Sequence, residues 1–343
     1  MKALILKTEG PADQAFELNE IPDPTPGPNQ VLISVSHSGL NFADVMARKG
    51  LYNDRPELPC VLGYEVVGYV EQCGEAVSRL KQGDRVLAFT HFGGYASKAI
   101  AEERAIVKIG DEVDGAEATA LATQYCTAWF AACMMVNLQP NDRVLIHAAA
   151  GGVGTALVQI AKWKGCEVIG TAGSEQKMEY LKSMGVDHPV NYRQEDFVKA
   201  VNKLLNGDRV DVVFDPIGGK SFRKSFSLCG SGGRIVSFGA SEWSSSKGNF
   251  LDKIKLALGF GVYHPIALLM KSKSIIGLNM LRIAENRPAY LERCMSEVVR
   301  HYQSGVLKPK VDSVYPAEKV ALAHQRLEGR QSIGKIALTW GNA

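Results

Sequence analysis

The sequence lacks the cysteine spacing of a disulfide-bonded or zinc-ribbon protein. Its seven cysteines, at positions 60, 73, 126, 133, 166, 229 and 294, are widely separated and include no C-x-x-C pair. This pattern argues against a disulfide framework and against a structural zinc site. We also expect no signal peptide, because the run from Met1 to Leu6 is strand-like and is not followed by a cleavage site. We therefore expect a cytoplasmic protein.

Long apolar runs and a strong charge of one sign are missing as well. The longest apolar stretch, Leu256 to Met270, covers about fifteen residues and is interrupted by His264 and Pro265, so it is too short to span a bilayer. The formal net charge is only +3, and the basic residues are spread along the chain. No nucleic acid is expected as a partner, since there is no basic field to attract one.

The pattern of apolar residues divides the chain into two regions that differ in predicted secondary structure. With 343 residues, the chain exceeds the usual size of a single hydrophobic core, so we expect two domains. From Met1 to about Ala122 the pattern is β-type, with turn residues between strand-like runs. From Asp142 onward, strand-like and helix-like segments alternate, which predicts a parallel doubly wound sheet and an α/β fold. The clearest β-type runs are Val31 to Ser36, Tyr64 to Val70 and Arg85 to Phe89.

Strand-like segments return near the C-terminus. We predict a helix from Glu285 to Gln303, a strand from Val311 to Tyr315, a helix from Pro316 to Glu328 and a strand from Gly334 to Trp340. These strands are expected to rejoin the first module, which makes that domain discontinuous. The predicted domains are residues 1–122 with 283–343, and residues 123–282 with a lobe at about 243–272.

One turn carries a nucleotide-binding pattern. The apolar run Val144 to Ile146 is followed by a small-residue turn, a helical pattern and a second strand-like run, Val168 to Thr171. Within the turn, Ala149-x-Gly151-x-x-Gly154 is the dinucleotide fingerprint with alanine in place of the first glycine. The phosphates would lie on the N-terminus of the helix. Glycines can also serve close packing alone, but the flanking strands and helix favour a nucleotide.

The end of the second strand indicates which nucleotide is bound. Sites for an unphosphorylated ribose usually place Asp or Glu there, whereas this chain has Gly173 and Ser174, with Lys177 just beyond. The Ser174 hydroxyl and the Lys177 ammonium suit a 2′-phosphate. Glu175 is the one residue that favours the opposite choice, and a solvated Lys177 is the alternative interpretation.

Residues after the other strands of the sheet are expected to line the cofactor, because ligands bind at the carboxyl ends of parallel strands. Phe238 and Gly239 follow one strand, and Tyr192 follows another, where its ring would cover the adenine or its phosphate. An ordinary turn glycine and a surface tyrosine are the alternatives for Gly239 and Tyr192.

Several separated blocks of the chain, in order, match the pattern of a known family. These blocks are Asn41 to Tyr52, Leu62 to Glu65, Gly83 to Val86, Ala148 to Gly154 and Gly334-Lys335. They resemble the medium-chain dehydrogenase/reductase family, in its zinc-independent quinone oxidoreductase group, over nearly the whole chain. Further blocks are Leu40 to Asp44, Leu138 to Pro140, Asp312 to Pro316 and Lys247 to Leu281. They are most similar to the synaptic-vesicle membrane protein homologues of the vesicle amine transport protein type. The resemblance implies a GroES-like β-rich catalytic domain plus a Rossmann doubly wound parallel sheet.

The resemblance allows a test for zinc. Zinc-dependent relatives place a metal-binding Cys where this chain has Asn41, a His where it has Tyr64 and a further Cys near Thr123. None of these side chains is a thiolate or imidazole ligand. The structural-zinc loop of those relatives is also missing, since Val86 leads through Phe92 directly into the next strand. We expect no metal.

The resemblance implies an NADPH-dependent oxidoreductase that transfers hydride to a quinone or an α,β-unsaturated carbonyl. The resulting enolate or phenolate is held more easily than an alkoxide, so hydrogen-bond donors can replace a metal. Candidate donors are the amide of Asn41 and the hydroxyls of Tyr52 and Tyr64. Tyr52 stands where related enoyl reductases carry a proton-donating tyrosine, with a half-buried core tyrosine as the alternative. Asp44 is expected to orient neighbours or to cap a helix that begins at Phe42.

Carried over residue by residue, the resemblance also implies the NADPH contacts, with Asn41 and Thr127 near the nicotinamide. These contacts are Asn41, Thr127, Gly151, Gly152, Val153, Gly173, Ser174, Lys177, Tyr192, Phe238, Gly239, Asn279 and Lys335.

The segment from Gly248 to Leu281 combines basic and apolar residues. Lys253, Lys255, Lys271 and Lys273 flank apolar side chains that begin with Leu256. We favour a cover over the substrate cleft or a dimer contact, with a membrane-surface patch as the alternative. The subgroup suggests a second function, a nucleotide-binding, membrane-associated adaptor with little catalysis. The family's habit of pairing sheet edges implies a homodimer.

Overall fold

The computed structural model of the protein describes residues 1–245, 254 and 258–341. The chain forms two compact units, the first made of Met1–Cys126, Met280–Gly305 and Pro309–Ala343, the second of Thr127–Asn279 and Val306–Lys308. Domain boundaries after residues 122 and 282 stay predictions. Lys253, Lys255 and Leu256, which contributed to the predicted lobe at 243–272, lie outside the described residues.

The N-terminal third is rich in short strands. Its strands are β1 Lys2–Leu6, β2 Phe16–Glu20, β3 Gln30–Leu40, β4 Cys60–Val61, β5 Glu65–Cys73, β6 Arg85–Phe89, β7 Lys98–Glu102 and β8 Ile106–Lys108. Its helices are α1 Ala12–Ala15, α2 Phe42–Arg48, the 3-10 turn Glu103–Ala105, α3 Gly115–Ala120, and α4 Cys126–Trp129 between the π-helical turns Leu121–Tyr125 and Phe130–Met135.

Strands and helices then alternate. The strands are β9 Arg143–Ile146, β10 Glu167–Ala172, β11 His188–Asn191, β12 Val210–Asp215, β13 Cys229–Ser237 and β14 Ser274–Gly277. The helices are α5 Gly152–Trp163, α6 Glu175–Ser183, α7 Phe197–Leu204, α8 Gly219–Leu228, the 3-10 turn Ser241–Ser245 and α9 Pro265–Lys271. The C-terminal elements are α10 Met280–Asn286, α11 Pro288–Gln303, β15 Val311–Pro316, the 3-10 turn Ala317–Lys319, α12 Val320–Glu328 and β16 Lys335–Thr339.

The first unit is built on a mainly antiparallel sheet. Its strand order is β15-β16-β3-β5-β6-β8, with β7 also paired to β3, and a smaller sheet has the order β2-β1-β4. The C-terminal strand β16 runs antiparallel to β3, with Ile336 opposite Leu40. This pairing brings Lys335, the first residue of β16, next to the end of β3, where Asn41 follows.

The second unit is an all-parallel six-stranded sheet with the order β11-β10-β9-β12-β13-β14. The predicted α/β fold with a doubly wound parallel sheet is confirmed. The strand order reverses between β9 and β12, and ligands of such sheets bind where the order reverses, outside the carboxyl ends of the strands. The turn that begins at Ala148 lies at this point.

Two predicted helices differ from the structure. The helix predicted from Glu285 to Gln303 is wrong at its start, because α10 ends at Asn286 and α11 begins at Pro288. Proline has no N–H and fits the first turn of a helix, so it starts α11 rather than continuing α10. The helix predicted from Pro316 begins instead with a 3-10 turn, and α12 starts at Val320. In the described part of the chain, every helix falls short of the length or hydropathy that a bilayer crossing requires.

Candidate active site

The turn after β9 is shaped for a close backbone approach. Gly154 is required there, because a Cβ at this position would lie 2.3 Å from the carbonyl oxygen of Ala148 and 2.7 Å from the Cα of Ala149. Gly151 precedes α5, and no acidic residue occupies the first turn of that helix. The first N–H groups of a helix have no partner within the helix, so those of Gly152 and Val153 can receive an anion.

A second group of predicted residues meets after β10. A Cβ at Gly173 would lie 2.6 Å from the hydroxyl oxygen of Tyr192, so the bare glycine lets the tyrosine approach. The Tyr192 N–H donates to the carbonyl of Ala172 at 3.1 Å, and its ring is 40% exposed. Ser174 caps α6, its hydroxyl accepting from the Lys177 N–H at 3.4 Å. Gly173, Ser174, Lys177 and Tyr192 therefore share one end of the sheet.

The loops after β12, β13 and β14 are also adjacent. The Phe238 N–H donates to the carbonyl of Asp215 at 3.2 Å, and a Cβ at Gly239 would lie 2.8 Å from the carbonyl oxygen of Pro216. The glycine at 239 is therefore needed for a close contact, not merely for a turn. The Leu278 N–H donates to Ser237 at 2.9 Å, which places Asn279 beside the same strand end.

His147 was not predicted as part of this region. Its Nδ1 lies 3.0 Å from the Thr171 hydroxyl and its Nε2 lies 2.7 Å from the Ser225 hydroxyl. Burial lowers the pKa of His147, so the ring is neutral at physiological pH. We assign it a structural role, since it ties β10 and α8 to the segment that carries the nucleotide turn.

The first unit contains a buried ion pair beside Asn41. Lys335 and Glu65 are both fully buried, and the Lys335 ammonium donates to Glu65 Oε1 and, at 3.2 Å, to Asn41 Oδ1. The Asn41 Nδ2 lies 2.8 and 2.9 Å from the two Glu65 oxygens. The Thr123 hydroxyl donates to Glu65 Oε2. Both Glu65 oxygens thus lie within hydrogen-bond distance of this one nitrogen, which carries two N–H groups.

This donor set does not fit a zinc ion. By the resemblance, Asn41 stands where zinc-dependent relatives carry one ligand and Thr123 lies near the position of another, and both side chains donate to Glu65. The partner of opposite charge is already present as the Lys335 ammonium, which cannot donate a lone pair to a metal and would repel it. Among the residues that the structure describes, no group of three or more His, Cys, Asp or Glu side chains is arranged to hold a metal.

Asp44 links the segments that carry Asn41 and Tyr64. Its Oδ2 accepts from the Asn41 N–H at 2.8 Å, and its Oδ1 accepts from the Gly63 N–H at 3.2 Å. The helix α2 begins at Phe42, so the predicted capping and orienting role is confirmed. Burial raises the pKa of Asp44 to about 7, the negative charge of Glu65 adds to the increase, and the Asn41 N–H opposes it.

The raised pKa predicts a pH-dependent stability. Between about pH 4 and 7 the folded protein holds an Asp44 proton that the unfolded chain has lost, so this group lowers the free energy of unfolding as the pH rises. In Asp44→Asn this contribution is absent. We expect the stability of wild type relative to Asp44→Asn to fall by roughly 2–4 kcal/mol between pH 4 and 8. Urea denaturation across this range measures it, and parallel profiles would contradict the assignment.

Tyr64 and Tyr52 lie side by side. Tyr64 is only 3% exposed, and its hydroxyl lies beside the Tyr52 hydroxyl, with which it interacts. The two rings meet edge to face with centroids 6.5 Å apart, and Phe92 packs on the other side of Tyr64. Burial raises the pKa of both hydroxyls, so each remains a proton-bearing donor at neutral pH.

The predicted site residues thus fall into two groups, one in each compact unit. Asn41, Tyr52, Tyr64 and Lys335 belong to the first unit. The other predicted cofactor residues, from Thr127 to Asn279, belong to the second. Thr127 itself is 8% exposed.

Glu65 was missed as a site residue. The available signal was a carboxylate at the start of an otherwise apolar strand, Glu65 to Val70. A charge in a buried strand requires a partner, but its identity was hidden because Lys335 lies 270 residues away in the sequence.

Comparisons with known proteins show the family to which this chain is related. The family model "Alcohol dehydrogenase GroES-like domain" matches residues 27–137, and the model "Zinc-binding dehydrogenase" matches residues 152–296. The rat synaptic vesicle membrane protein VAT-1 homolog is 35% identical over 320 residues, which cover 93% of this chain and 78% of that protein. Human quinone oxidoreductase is 30% identical over 322 residues, 93% of this chain and 92% of that protein.

This chain belongs to the medium-chain dehydrogenase/reductase family, in its quinone oxidoreductase group. The predicted GroES-like domain plus Rossmann sheet is thereby confirmed. Among solved members of the family, the Escherichia coli quinone oxidoreductase complexed with NADPH is similar at 27% identity with a TM-score of 0.87, covering 99% of this chain and 100% of that one. The CurK enoyl reductase is similar at 28% identity with a TM-score of 0.85, covering 98% of each chain.

Proposed function

We propose that this member of the family is an NADPH-dependent oxidoreductase that reduces quinones or α,β-unsaturated carbonyls without zinc. The observation that carries the proposal is the buried Lys335 ammonium, paired with Glu65 beside Asn41 and Thr123. The positive charge at this position is thus the Lys335 ammonium, close to Asn41 and Thr123, which carry no metal-binding side chain. Substrates whose reduction needs no Lewis acid suit such a site best.

The cofactor residues fit NADPH. The turn at Gly151, Gly152 and Val153 would hold the pyrophosphate, and Ser174, Lys177 and Tyr192 would hold the 2′-phosphate. By the family resemblance, Phe238, Gly239 and Asn279 line the remaining cofactor, with Asn41 and Thr127 near the nicotinamide. When bound, NADPH supplies the hydride. The NADPH complex of the similar E. coli enzyme supports this assignment.

The acceptor oxygen would be held by hydroxyl and amide donors. The buried Tyr64 hydroxyl interacts with the Tyr52 hydroxyl, and in such a pair one O–H remains available to an acceptor oxygen. Tyr52 lies next to it and keeps its proton. The Asn41 amide is held in place by its contacts with Lys335 and Glu65, and we assign one of its two N–H groups to the acceptor oxygen. Together these donors stabilise an enolate or phenolate oxygen.

Tyr52→Phe is expected to lower kcat with an enone by at least about tenfold while leaving the Kd of NADPH unchanged, because it removes a proton donor and no cofactor contact. Stopped-flow turnover and fluorescence titration measure the two quantities. Tyr69→Phe is the matched control, since Tyr69 is 46% exposed in the same unit. Equal turnover in Tyr52→Phe and wild type would remove Tyr52 from the mechanism.

The proposed activity is tested by NADPH oxidation against a panel of quinones and enones, with bound zinc measured on the same protein. Turnover of at least one class at substoichiometric zinc supports it. Tight NADPH binding without turnover of any acceptor would contradict it.

A second candidate is the membrane-associated adaptor, and one observation favours it. On and before α9, Val262 is 93% exposed, Leu269 is 75% exposed and Met270 is 78% exposed, with Lys271 and Lys273 nearby. An exposed apolar face with adjacent lysines suits an anionic lipid surface. Co-sedimentation with anionic vesicles would support the adaptor, whereas a protein that stays in the supernatant would favour a cover or dimer contact.

We also propose a homodimer formed through β14, which is an edge strand of the parallel sheet. Size-exclusion chromatography with light scattering tests the dimer. The cytoplasmic location stays a prediction.

A further inference from the structure

Glu175 was the one residue that argued against NADPH, and the structure shows what holds it. It is the first residue of α6, directly after Ser174. Its Oε1 accepts from the side-chain amide of Gln194 at 2.9 Å and from that of Asn191 at 3.2 Å. Asn191 is the last residue of β11 and Gln194 lies in the loop after it, so the two donors flank Tyr192. The carboxylate is therefore bound to the neighbouring loop.

Asn191 fixes the loop that supplies these donors. It is only 6% exposed, its Oδ1 accepts from the Arg193 N–H at 3.1 Å, and its carbonyl accepts from the Gln194 N–H at 3.0 Å. The Tyr192 N–H is bonded to Ala172 at the end of β10. Because the backbone of the loop is fixed at several points, the amides of Asn191 and Gln194 are already in place before any nucleotide binds.

We propose that Asn191 and Gln194 determine cofactor selectivity by binding the Glu175 carboxylate, so that its Oε1 is not available at the ribose 2′ position. A carboxylate near this position would accept a hydrogen bond from the 2′-hydroxyl of NADH and would repel the 2′-phosphate of NADPH. Held by two amides, Glu175 has the lone pairs of its Oε1 occupied, and the phosphate meets Ser174 and Lys177 instead. The proposal rests on the proposed function, since it presupposes nucleotide binding at this end of the sheet.

Gln194→Ala tests the proposal, because Gln194 is exposed and the substitution removes the shorter of the two bonds to Glu175. We expect the ratio of the Kd of NADH to the Kd of NADPH to fall about fivefold, through weaker NADPH binding and stronger NADH binding. Gln176→Ala is the matched control, an exposed glutamine in the same first turn of α6, and its ratio should equal that of wild type. The fragments 2′,5′-ADP and 5′-AMP should show the same change without any contribution from the nicotinamide.

Adding Gln194→Ala to a Glu175→Gln variant distinguishes an effect of the Glu175 charge from an effect of the loop structure. In Glu175→Gln the carboxylate is gone, so adding Gln194→Ala should leave the ratio unchanged. An unchanged ratio in Gln194→Ala alone would overturn the proposal, as would an equal fall in the Glu175→Gln background, which would show that the loop acts without the carboxylate. If either of these results is obtained and wild type still binds NADPH more tightly than NADH, the proposal on selectivity is overturned and the proposed function is retained. If wild type binds neither nucleotide, both are overturned.

Discussion

Lys335→Met is expected to lower the free energy of unfolding by about 3–5 kcal/mol, because it leaves the Glu65 carboxylate buried without an opposite charge. The same substitution frees the Asn41 carbonyl oxygen, which accepts from Lys335 at 3.2 Å, so the amide loses its fixed orientation. We therefore expect the rate of NADPH oxidation to fall as well. Chemical denaturation gives the first quantity and NADPH oxidation the second.

The double variant Glu65→Gln/Lys335→Met shows whether the loss of stability in Lys335→Met comes from the unpaired Glu65 carboxylate. Removing both charges relieves the unpaired carboxylate, so most of the lost stability should return, while the activity should not. Lys182→Met is the matched control, since Lys182 pairs with Glu179 on the surface at 57% and 68% exposure and its loss should leave the stability unchanged. A single variant as stable as wild type would show that the buried pair is not formed.

Gly154→Ala is expected to weaken NADPH binding about a hundredfold, since displacing the backbone of the turn costs about 2–3 kcal/mol. The added Cβ would lie 2.3 Å from the Ala148 carbonyl oxygen, which is backbone and cannot move without moving the turn. Isothermal titration with NADPH measures the effect, and a thermal unfolding scan confirms that the variant is folded.

A series of glycine substitutions makes this prediction specific. Gly151→Ala should have a smaller effect, because its Cβ would lie 3.2 Å from the same oxygen. Gly277→Ala should have none on nucleotide binding, since no atom of the described residues lies within 4 Å of its Cβ. Equal Kd values for all three variants would mean that the turn after β9 is not the nucleotide site.

The nucleotide turn could be predicted from sequence because its requirements are local. The strand, the glycine turn, the helix and the second strand occupy one continuous segment, and the need for Gly154 arises from atoms five and six residues before it. The same is true of Gly173, Ser174 and Lys177 at the start of α6. Tyr192 was placed there from the order of strands, and the structure puts its hydroxyl over Gly173.

The buried pair could not be predicted, because it depends on tertiary contacts. The partner of Glu65 lies 270 residues away on β16, and only the antiparallel pairing of β16 with β3 brings it to Asn41. The raised pKa of Asp44 likewise depends on burial and on the nearby charge of Glu65. In contrast, the break before α11 was visible in the sequence as Pro288, and the predicted helix from Glu285 ran through it.

The sequence pattern after β10 predicts NADPH, but it does not include the residues that bind Glu175. Its charge argued for NADH, yet the amides of Asn191 and Gln194 bind the carboxylate. Asn191 ends β11 and Gln194 lies in the loop after it, and only the parallel pairing of β10 with β11 places them beside α6.

The most direct test of the account is a titration of the purified protein with NADPH and with NADH while its zinc content is measured. We predict saturable binding that clearly favours NADPH in a protein that carries no stoichiometric zinc. A clear preference for NADH, or one zinc ion per chain, would contradict it.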